Sequence, residues 1–331
     1  MRPTRALLLF LATSILLLVP SGPAAGDGLP VGGVDASRDG VSNGNGFRYV
    51  TFAARGETIV ARNDLRDGSV DTSLRLPGEF TIPVVAYDGS PSGLSADGGT
   101  LALINPRSAF PRRRTEFVVL DTSGRLMVRD RVRMKGDFSF DAISPDGETM
   151  YLIHYLSPRD QTRYEVRAFD LEAGHLVPGA ITDPEEPGER MAGIPVSRAM
   201  SPDGRWAYTL YDGMGHEPFI HALDTSGREA ACIDLPQLED RRDVSLMRLD
   251  VDGGSGALTV LSRPPEDPKS QPLLEVDPDG FEVSTATAAS DSPDDPSPLP
   301  VWWLVAGGVA GLAAAILLAG GLRPARDEQA A

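Results

Sequence analysis

The sequence predicts an all-β protein built from repeated units of four short antiparallel strands, followed by one C-terminal transmembrane helix. Three observations lead to this prediction. The 331 residues include 35 Gly and 28 Pro, a content that favours turn-rich β structure. Two separate series of turns recur at a spacing of about 50 residues. An unbroken apolar segment of 22 residues lies close to the C-terminus.

The first 25 residues have the pattern of a secretory signal peptide. Arg2 and Arg5 precede an apolar stretch over residues 6–19, and small residues follow at Gly22, Ala24 and Ala25. We therefore expect residues 1–25 to direct export and residues 26–289 to form a domain outside the cytoplasm.

The first turn series contains a glycine between two β-prone runs. Its copies read LSADGGTLAL from Leu94, ISPDGETMYL from Ile143 and MSPDGRWAYTL from Met200, with weaker copies near Gly46 and Gly253. The second series, in phase with the first, is a tight hairpin turn; its glycines are Gly68, Gly124, Gly174, Gly227 and Gly280. Asp-Gly suits such turns because Gly accepts a positive φ and Asp bonds the local backbone.

Each unit thus contains a run before the Asp-Gly turn, a run after it, and a hairpin, which makes four antiparallel strands. Four strands repeated at this period predict the blades of a β-propeller. We count five blades. The innermost strand of the first unit is weakly marked, and six blades are the alternative if residues 29–37 pair elsewhere.

With its Ser-Pro-Asp-Gly turns, the chain resembles bacterial β-propeller repeat proteins of the TolB-like, YVTN-like and WD40-like kind. The resemblance covers about 250 residues and implies a propeller fold. It implies no particular activity, because propellers serve many functions.

The C-terminal region predicts a membrane anchor. Residues 290–300, SDSPDDPSPLP, form an extended stalk, and residues 301–322 contain no charge and suffice to span a bilayer. Arg323 and Arg326 place the tail, residues 323–331, in the cytoplasm. Gly307 and Gly311 form a GxxxG pattern that allows, without requiring, a dimer.

Composition excludes several classes of function. A net charge of −16 argues against nucleic-acid binding. Cys232 is the only cysteine, so no internal disulfide and no cysteine metal site can form. The four histidines are not expected to converge, and we predict no metal and no cofactor. The acidic string around Asp250 and Asp252 is interpreted as a structural turn, because Leu261 stands where an EF-hand loop needs Glu.

The sequence contains no nucleophile-elbow motif. The string GSPSG at Gly89 has Pro91 at its centre, so it is not a nucleophile elbow. Enzymatic propellers instead place acids or a metal around their central channel. The inner-strand candidates for such an arrangement are Asp137, Asp141, Arg198, Arg248 and Asp250.

A basic segment stands out in this acidic chain. Between Arg107 and Lys135, nine Arg or Lys face three acids, a local net charge of +6. Alternation over residues 125–135 places Val128 and Val132 on one face and Arg131 and Arg133 on the other. Charge along an exposed outer strand prevents edge-to-edge pairing, and an anion-binding patch is the functional alternative.

Loop length differs between units, so we place recognition in the loops that join second and third strands. The residues predicted to bind are Phe110, Arg112, Arg113, Tyr155, Arg159, Tyr211 and His216. The predicted function is non-enzymatic binding of a protein, peptide or glycan by a membrane-tethered propeller. The alternatives are a lactonase- or glycan-acting propeller enzyme and a structural role in an envelope complex.

Overall fold

The computed structural model describes residues 40–42, 44, 46–186 and 193–286, and within these ranges the chain is all-β. Five antiparallel sheets follow one another along the sequence. The first comprises β1 (Phe47–Ala54), β2 (Glu57–Asp64) and β3 (Val70–Pro77); the second β4 (Thr100–Ile104), β5 (Arg114–Asp121) and β6 (Met127–Lys135); the third β7 (Phe138–Ile143), β8 (Thr149–Tyr155), β9 (Tyr164–Asp170) and β10 (His175–Leu176).

The fourth sheet comprises β11 (Pro195–Met200), β12 (Trp206–Tyr211), β13 (Phe219–Asp224) and β14 (Glu229–Asp234), and the fifth β15 (Arg248–Val251), β16 (Leu258–Leu261), β17 (Pro272–Val276) and β18 (Val283–Thr285). The helical elements among the described residues are two single 3₁₀ turns, Pro236–Leu238 and Val244–Leu246. Within each sheet the strands pair in sequence order, as the repeat predicts.

The first two sheets have three full strands each, and isolated bridges replace their innermost strand. Val41 pairs with Tyr49 in the first sheet. Thr81 and Leu94 pair with Ile104 and Leu101 in the second. In the described part of the first unit, the weakly marked innermost segment contributes one bridge, at Val41. A Gly-, Asn- and Ser-rich segment offers few side chains to pack on a pleated surface.

The Asp-Gly turns hold neighbouring sheets together. In the third unit the Ser144 hydroxyl donates to Asp146 and accepts a bond from the Thr149 amide. Gly147 and Gly204 have φ of 69° and 74°, which only glycine adopts readily. A Cβ on Gly204 would lie 2.4 Å from the Ala96 Cβ, and one on Gly147 would lie 2.3 Å from the Thr100 hydroxyl oxygen. These turns therefore meet across three units.

Four hydrophobic clusters form the core. One contains residues of the first and second sheets, such as Val60 and Leu103, and another residues of the second and third, such as Phe117 and Phe140. The remaining two join the third sheet to the fourth and the fourth to the fifth. Each sheet thus buries its faces against the next one in sequence, so no helical layer is needed.

Several sequence-based predictions concern residues outside the described ranges. They are the signal peptide 1–25, the extra strand at 29–37, the stalk 290–300, the helix 301–322 with its Gly307 and Gly311, and the tail 323–331. Within the part of the chain that the structure describes, none of the helices has the length and apolar character to cross a membrane.

Candidate functional site

The loops between second and third strands, in which recognition was predicted, occupy residues 105–113, 156–163, 212–218 and 262–271. We call the side of the sheets that carries these loops the loop face. The opposite side, which carries the Asp-Gly turns, is the turn face. Strands alternate in direction, so the chain also returns to the loop face where each outermost strand ends, as at Lys135 and Thr285.

A hairpin over residues 83–92 is inserted into the innermost segment of the second unit. Its arms pair at Val84 and Pro91. Its tip extends to the innermost strand of the fourth sheet, where the Tyr87 amide donates to the Pro195 carbonyl at 3.0 Å and the Asp88 amide to the Val196 carbonyl at 3.1 Å. The hairpin therefore bridges two non-adjacent sheets.

Tyr87, at the tip of this hairpin, is 39% exposed. Partial burial raises the pKa of its phenol to about 12, and the neighbouring Tyr155 and Asp212 act in the same direction. Tyr155 ends β8, the second strand of the third sheet, and Asp212 directly follows β12, the second strand of the fourth sheet. Tyr87 thus lies on the loop face, between loops that were predicted to bind.

Aromatic rings continue this surface beside the second sheet. Phe110 and Tyr155 meet edge to face with 5.5 Å between ring centroids. The Arg107 guanidinium lies over both rings, 5.6 Å from Phe110 and 4.7 Å from Tyr155. Such cation–π and edge contacts fix the orientation of the rings.

A buried carboxylate holds the arginines of the same loop. Arg107 and Arg112 donate to Asp137 at 2.8 and 3.1 Å, and Asp137 also accepts the Arg112 amide at 2.8 Å. The Arg112 side chain is 8% exposed. Burial and the charge of Arg107 lower the pKa of Arg112 to about 10, against the opposing effect of Asp137. Arg112 therefore serves to hold its loop in place.

The structure separates the seven predicted binding residues into two groups. Tyr155 and Tyr211 are buried, Arg112 is nearly so, and Phe110 is half-buried. Arg113, Arg159 and His216 are exposed on three different loops. Phe110, Arg112 and Tyr155 come together around Arg107, whereas Tyr211 stacks on Phe219 at 4.9 Å in the fourth sheet.

Sequence reasoning missed Tyr87 and Arg107. The signal for Tyr87 was the length of the segment between the first hairpin and the second Asp-Gly turn, which contains the turn sequence AYDG. Arg107 could not be distinguished from the other arginines of its run, because its role depends on rings and a carboxylate that are distant in sequence.

The inner-strand acids do not form one constellation. Asp137 pairs with two arginines, and Asp141 forms a buried ion pair with Arg198 of the neighbouring sheet. Arg248 donates to the Met247 carbonyl, and Asp250 is exposed. Among the described residues, no three His, Cys, Asp or Glu side chains are placed to hold a metal ion.

His221 lies close to the Asp141–Arg198 pair. It is 3% exposed, and burial lowers the pKa of its imidazole to about 4. The charge of Asp141 opposes this shift and that of Arg198 adds to it. The side chain is therefore a neutral member of the interface between the third and fourth sheets.

On the turn face, a pocket of about 230 Å³ lies among the Asp-Gly turns. Val41, Leu94, Ile143 and Met200 contribute apolar lining, and Ser42, Ser92 and Ser201 contribute hydroxyl groups. Its residues come from four of the five units, which places the innermost segments of those units around common space.

No protein-family model matches the chain, and the search of curated proteins finds no match. Solved structures do resemble it. The Dos1 propeller is 15% identical, with a TM-score of 0.39 over 67% of this chain and 51% of that one. A puromycin hydrolase is 16% identical, with a TM-score of 0.41 over 76% and 40%. TolB from Acinetobacter baumannii is 16% identical, with a TM-score of 0.33 over 73% and 57%.

The chain thus spans about half, or less, of the length of the first two neighbours. These neighbours include β-propellers, in keeping with the succession of antiparallel sheets, and likeness at this level carries no argument about activity.

Proposed function

We propose that this protein is a five-bladed β-propeller, tethered to a membrane by residues 301–322, that binds a protein, peptide or glycan on its loop face without catalysis. The domain lies outside the cytoplasm, since an exported N-terminus and Arg323 and Arg326 favour that orientation.

The observation that carries this proposal is the position of Tyr87. A half-exposed tyrosine is held by backbone hydrogen bonds between two sheets, with the half-buried Phe110 ring on the same face. Aromatic side chains bring large contact area at a small cost in conformational entropy and are enriched among binding hot spots. Exposed Arg159 and His216 stand on loops of the same face, as a polar rim would.

The enzymatic alternative, a lactonase- or glycan-acting propeller, requires acids that converge on the channel. Asp137 and Asp141 are instead engaged by arginines, which favours the binding function. Hydrolysis of lactone or glycan substrates that is lost in Asp141→Asn, with the fold retained by circular dichroism, would support the alternative.

The test uses the full chain in detergent micelles and two sets of probes, an array of synthetic peptides and an array of cell-wall glycan fragments. We expect binding to a subset of probes that Tyr87→Ala weakens by about tenfold or more, as for a hot-spot residue. Leu65→Ala is the matched control, because Leu65 is 44% exposed but lies in a hairpin turn on the turn face. Equal weakening by both variants, or by neither, would contradict the proposal.

A further inference from the structure

We propose that the basic end of the second sheet, formed by Arg113, Arg114 and Lys135, docks on the surface of a lipid bilayer with anionic headgroups. The inference rests on the membrane tether of the proposed function and adds to it an orientation and a lipid preference.

The first observation is an uncompensated cluster of charge. In the pairing of β5 with β6, Arg114 lies directly opposite Lys135, a like-charge pair that disfavours the sheet. Arg113 precedes Arg114, and all three residues are exposed. Glu116 engages the next two cations of the strand, Arg131 at 3.4 Å and Arg133 at 3.3 Å.

Among the described residues, no acid lies within ion-pair distance of Arg113, Arg114 or Lys135. In a chain with a net charge of −16, three neighbouring cations without acidic partners point to an external anion. Blocking of edge pairing does not account for them, since Arg131 and Arg133 already supply charge along β6.

The second observation is where the chain leaves the fifth sheet. β18 ends at Thr285, and the Ala286 amide donates to the Leu273 carbonyl, beside the loop of residues 262–271. The chain therefore leaves on the loop face, at the position in its sheet that Lys135 occupies in the second sheet.

The length of the following segment limits the distance to the membrane. Fourteen residues, 287–300, join Ala286 to the predicted membrane span that begins at residue 301. A fully extended chain of this length reaches at most about 50 Å. An exit on the loop face and a short connection favour contact of that face with the bilayer. Each Lys or Arg near an anionic surface favours contact by roughly fivefold, so three cations shift the equilibrium by about 100-fold.

The experiment measures amide hydrogen exchange of the full chain in lipid nanodiscs of phosphatidylcholine alone or with phosphatidylglycerol. We expect the amides of residues 107–110, 112–116 and 135–137 to exchange more slowly in the anionic nanodiscs. The difference should disappear in 1 M salt, where charges are screened within about 3 Å. Amides of the turn-face hairpin at residues 122–125 should exchange equally in both.

Two triple variants make the test specific. Replacing Arg113, Arg114 and Lys135 by Gln should abolish the lipid-dependent protection. Replacing Arg66, Arg125 and Arg228 by Gln removes the same charge from hairpin turns of the turn face and should preserve the protection.

Four outcomes would overturn the inference. They are equal exchange in both lipids, protection that survives loss of the three cations, protection confined to residues 122–125, or protection by a soluble anionic polysaccharide without any effect of lipid. Washing with alkaline carbonate releases proteins that do not span the bilayer. Release of the chain from lipid by this treatment would contradict the membrane tether as well as this inference. Retention of the chain without lipid-dependent protection would contradict this inference alone.

Discussion

Replacement of Gly204 by Ala tests the packing of the Asp-Gly turns around their common space. Gly204 has a φ of 74°, where an alanine costs about 1–2 kcal/mol. The added Cβ would lie 2.4 Å from the Ala96 Cβ of the second unit, whereas carbon atoms pack at roughly 3.5–4.0 Å. The turns must then separate by more than about 1 Å, at a cost of about 1–3 kcal/mol.

We therefore expect Gly204→Ala to lower the free energy of unfolding by roughly 2–5 kcal/mol. The assay is urea unfolding of the detergent-solubilised full chain, followed by the β signal in far-ultraviolet circular dichroism. Gly253→Ala is the matched control, because Gly253 belongs to the equivalent turn of the fifth unit and has nothing within 4 Å of its Cβ position. That change should stay within about 1 kcal/mol.

The double variant Ala96→Gly/Gly204→Ala separates the two causes. Removal of the Ala96 methyl group abolishes the close contact and leaves the cost of the positive φ, so a coupling of about 1–3 kcal/mol is expected. The reasoning is refuted if Gly204→Ala unfolds at the same urea concentration as Gly253→Ala, or if Ala96→Gly restores nothing.

Three further predictions concern buried ionisable side chains. The pKa of His221 is about 4 in the folded chain and 6.5 in the unfolded chain, so the unfolded chain binds more protons between these pH values. The free energy of unfolding should therefore fall by about 2 kcal/mol from pH 7 to pH 5. Urea unfolding at both pH values checks this, and the same pH dependence in wild type and His221→Gln would contradict it. Asp141→Asn should cost about 3–5 kcal/mol, since it leaves Arg198 buried beside a neutral group; a thermal midpoint within 2 °C of wild type would exclude that cost. Arg112→Ala should lower the free energy of unfolding by about 2 kcal/mol or more, because Asp137 then lacks one of its buried hydrogen-bond donors. Arg113→Ala, at an exposed position, should have no effect on stability. Equal thermal midpoints of the two variants would contradict the structural role of Arg112.

The repeat predicted the order of the sheets because each unit carries its own turn chemistry. Gly98, Gly147 and Gly204 all adopt the positive φ that the Asp-Gly pattern indicates. The inserted hairpin at residues 83–92 was not predicted, because its arms form only isolated bridges and carry no alternating pattern.

Alternation was also a poor guide at one position of β6. Val128 was expected on the same face as Val132, and that prediction is wrong, since Val128 is 42% exposed whereas Val132 is buried. The pairing of β5 with β6 shifts register between Val119 and Leu120, and such a bulge reverses the direction of the side chains beyond it. Val132 lies on the other side of the bulge, opposite Phe117, and is buried.

The candidate site was predictable as a set of loops, and less so as a set of side chains. Loop bounds follow from the repeat, whereas burial of Arg112 and Tyr155 depends on partners that are distant in sequence, such as Asp137 and Arg107. A single arginine-rich loop therefore contains both a buried structural arginine and an exposed one, Arg113, and the sequence does not distinguish them.

The central claim is that ligand binds on the loop face beside Tyr87. Its most direct test is photo-crosslinking in intact cells with a benzophenone amino acid at position 87 of the full chain and, separately, at position 65 on the turn face. We expect position 87 to give a discrete crosslinked adduct and position 65 to give none. Adding an excess of the peptide or glycan that bound in the array test should suppress the adduct at position 87. An adduct at position 65 with none at position 87 would contradict the account.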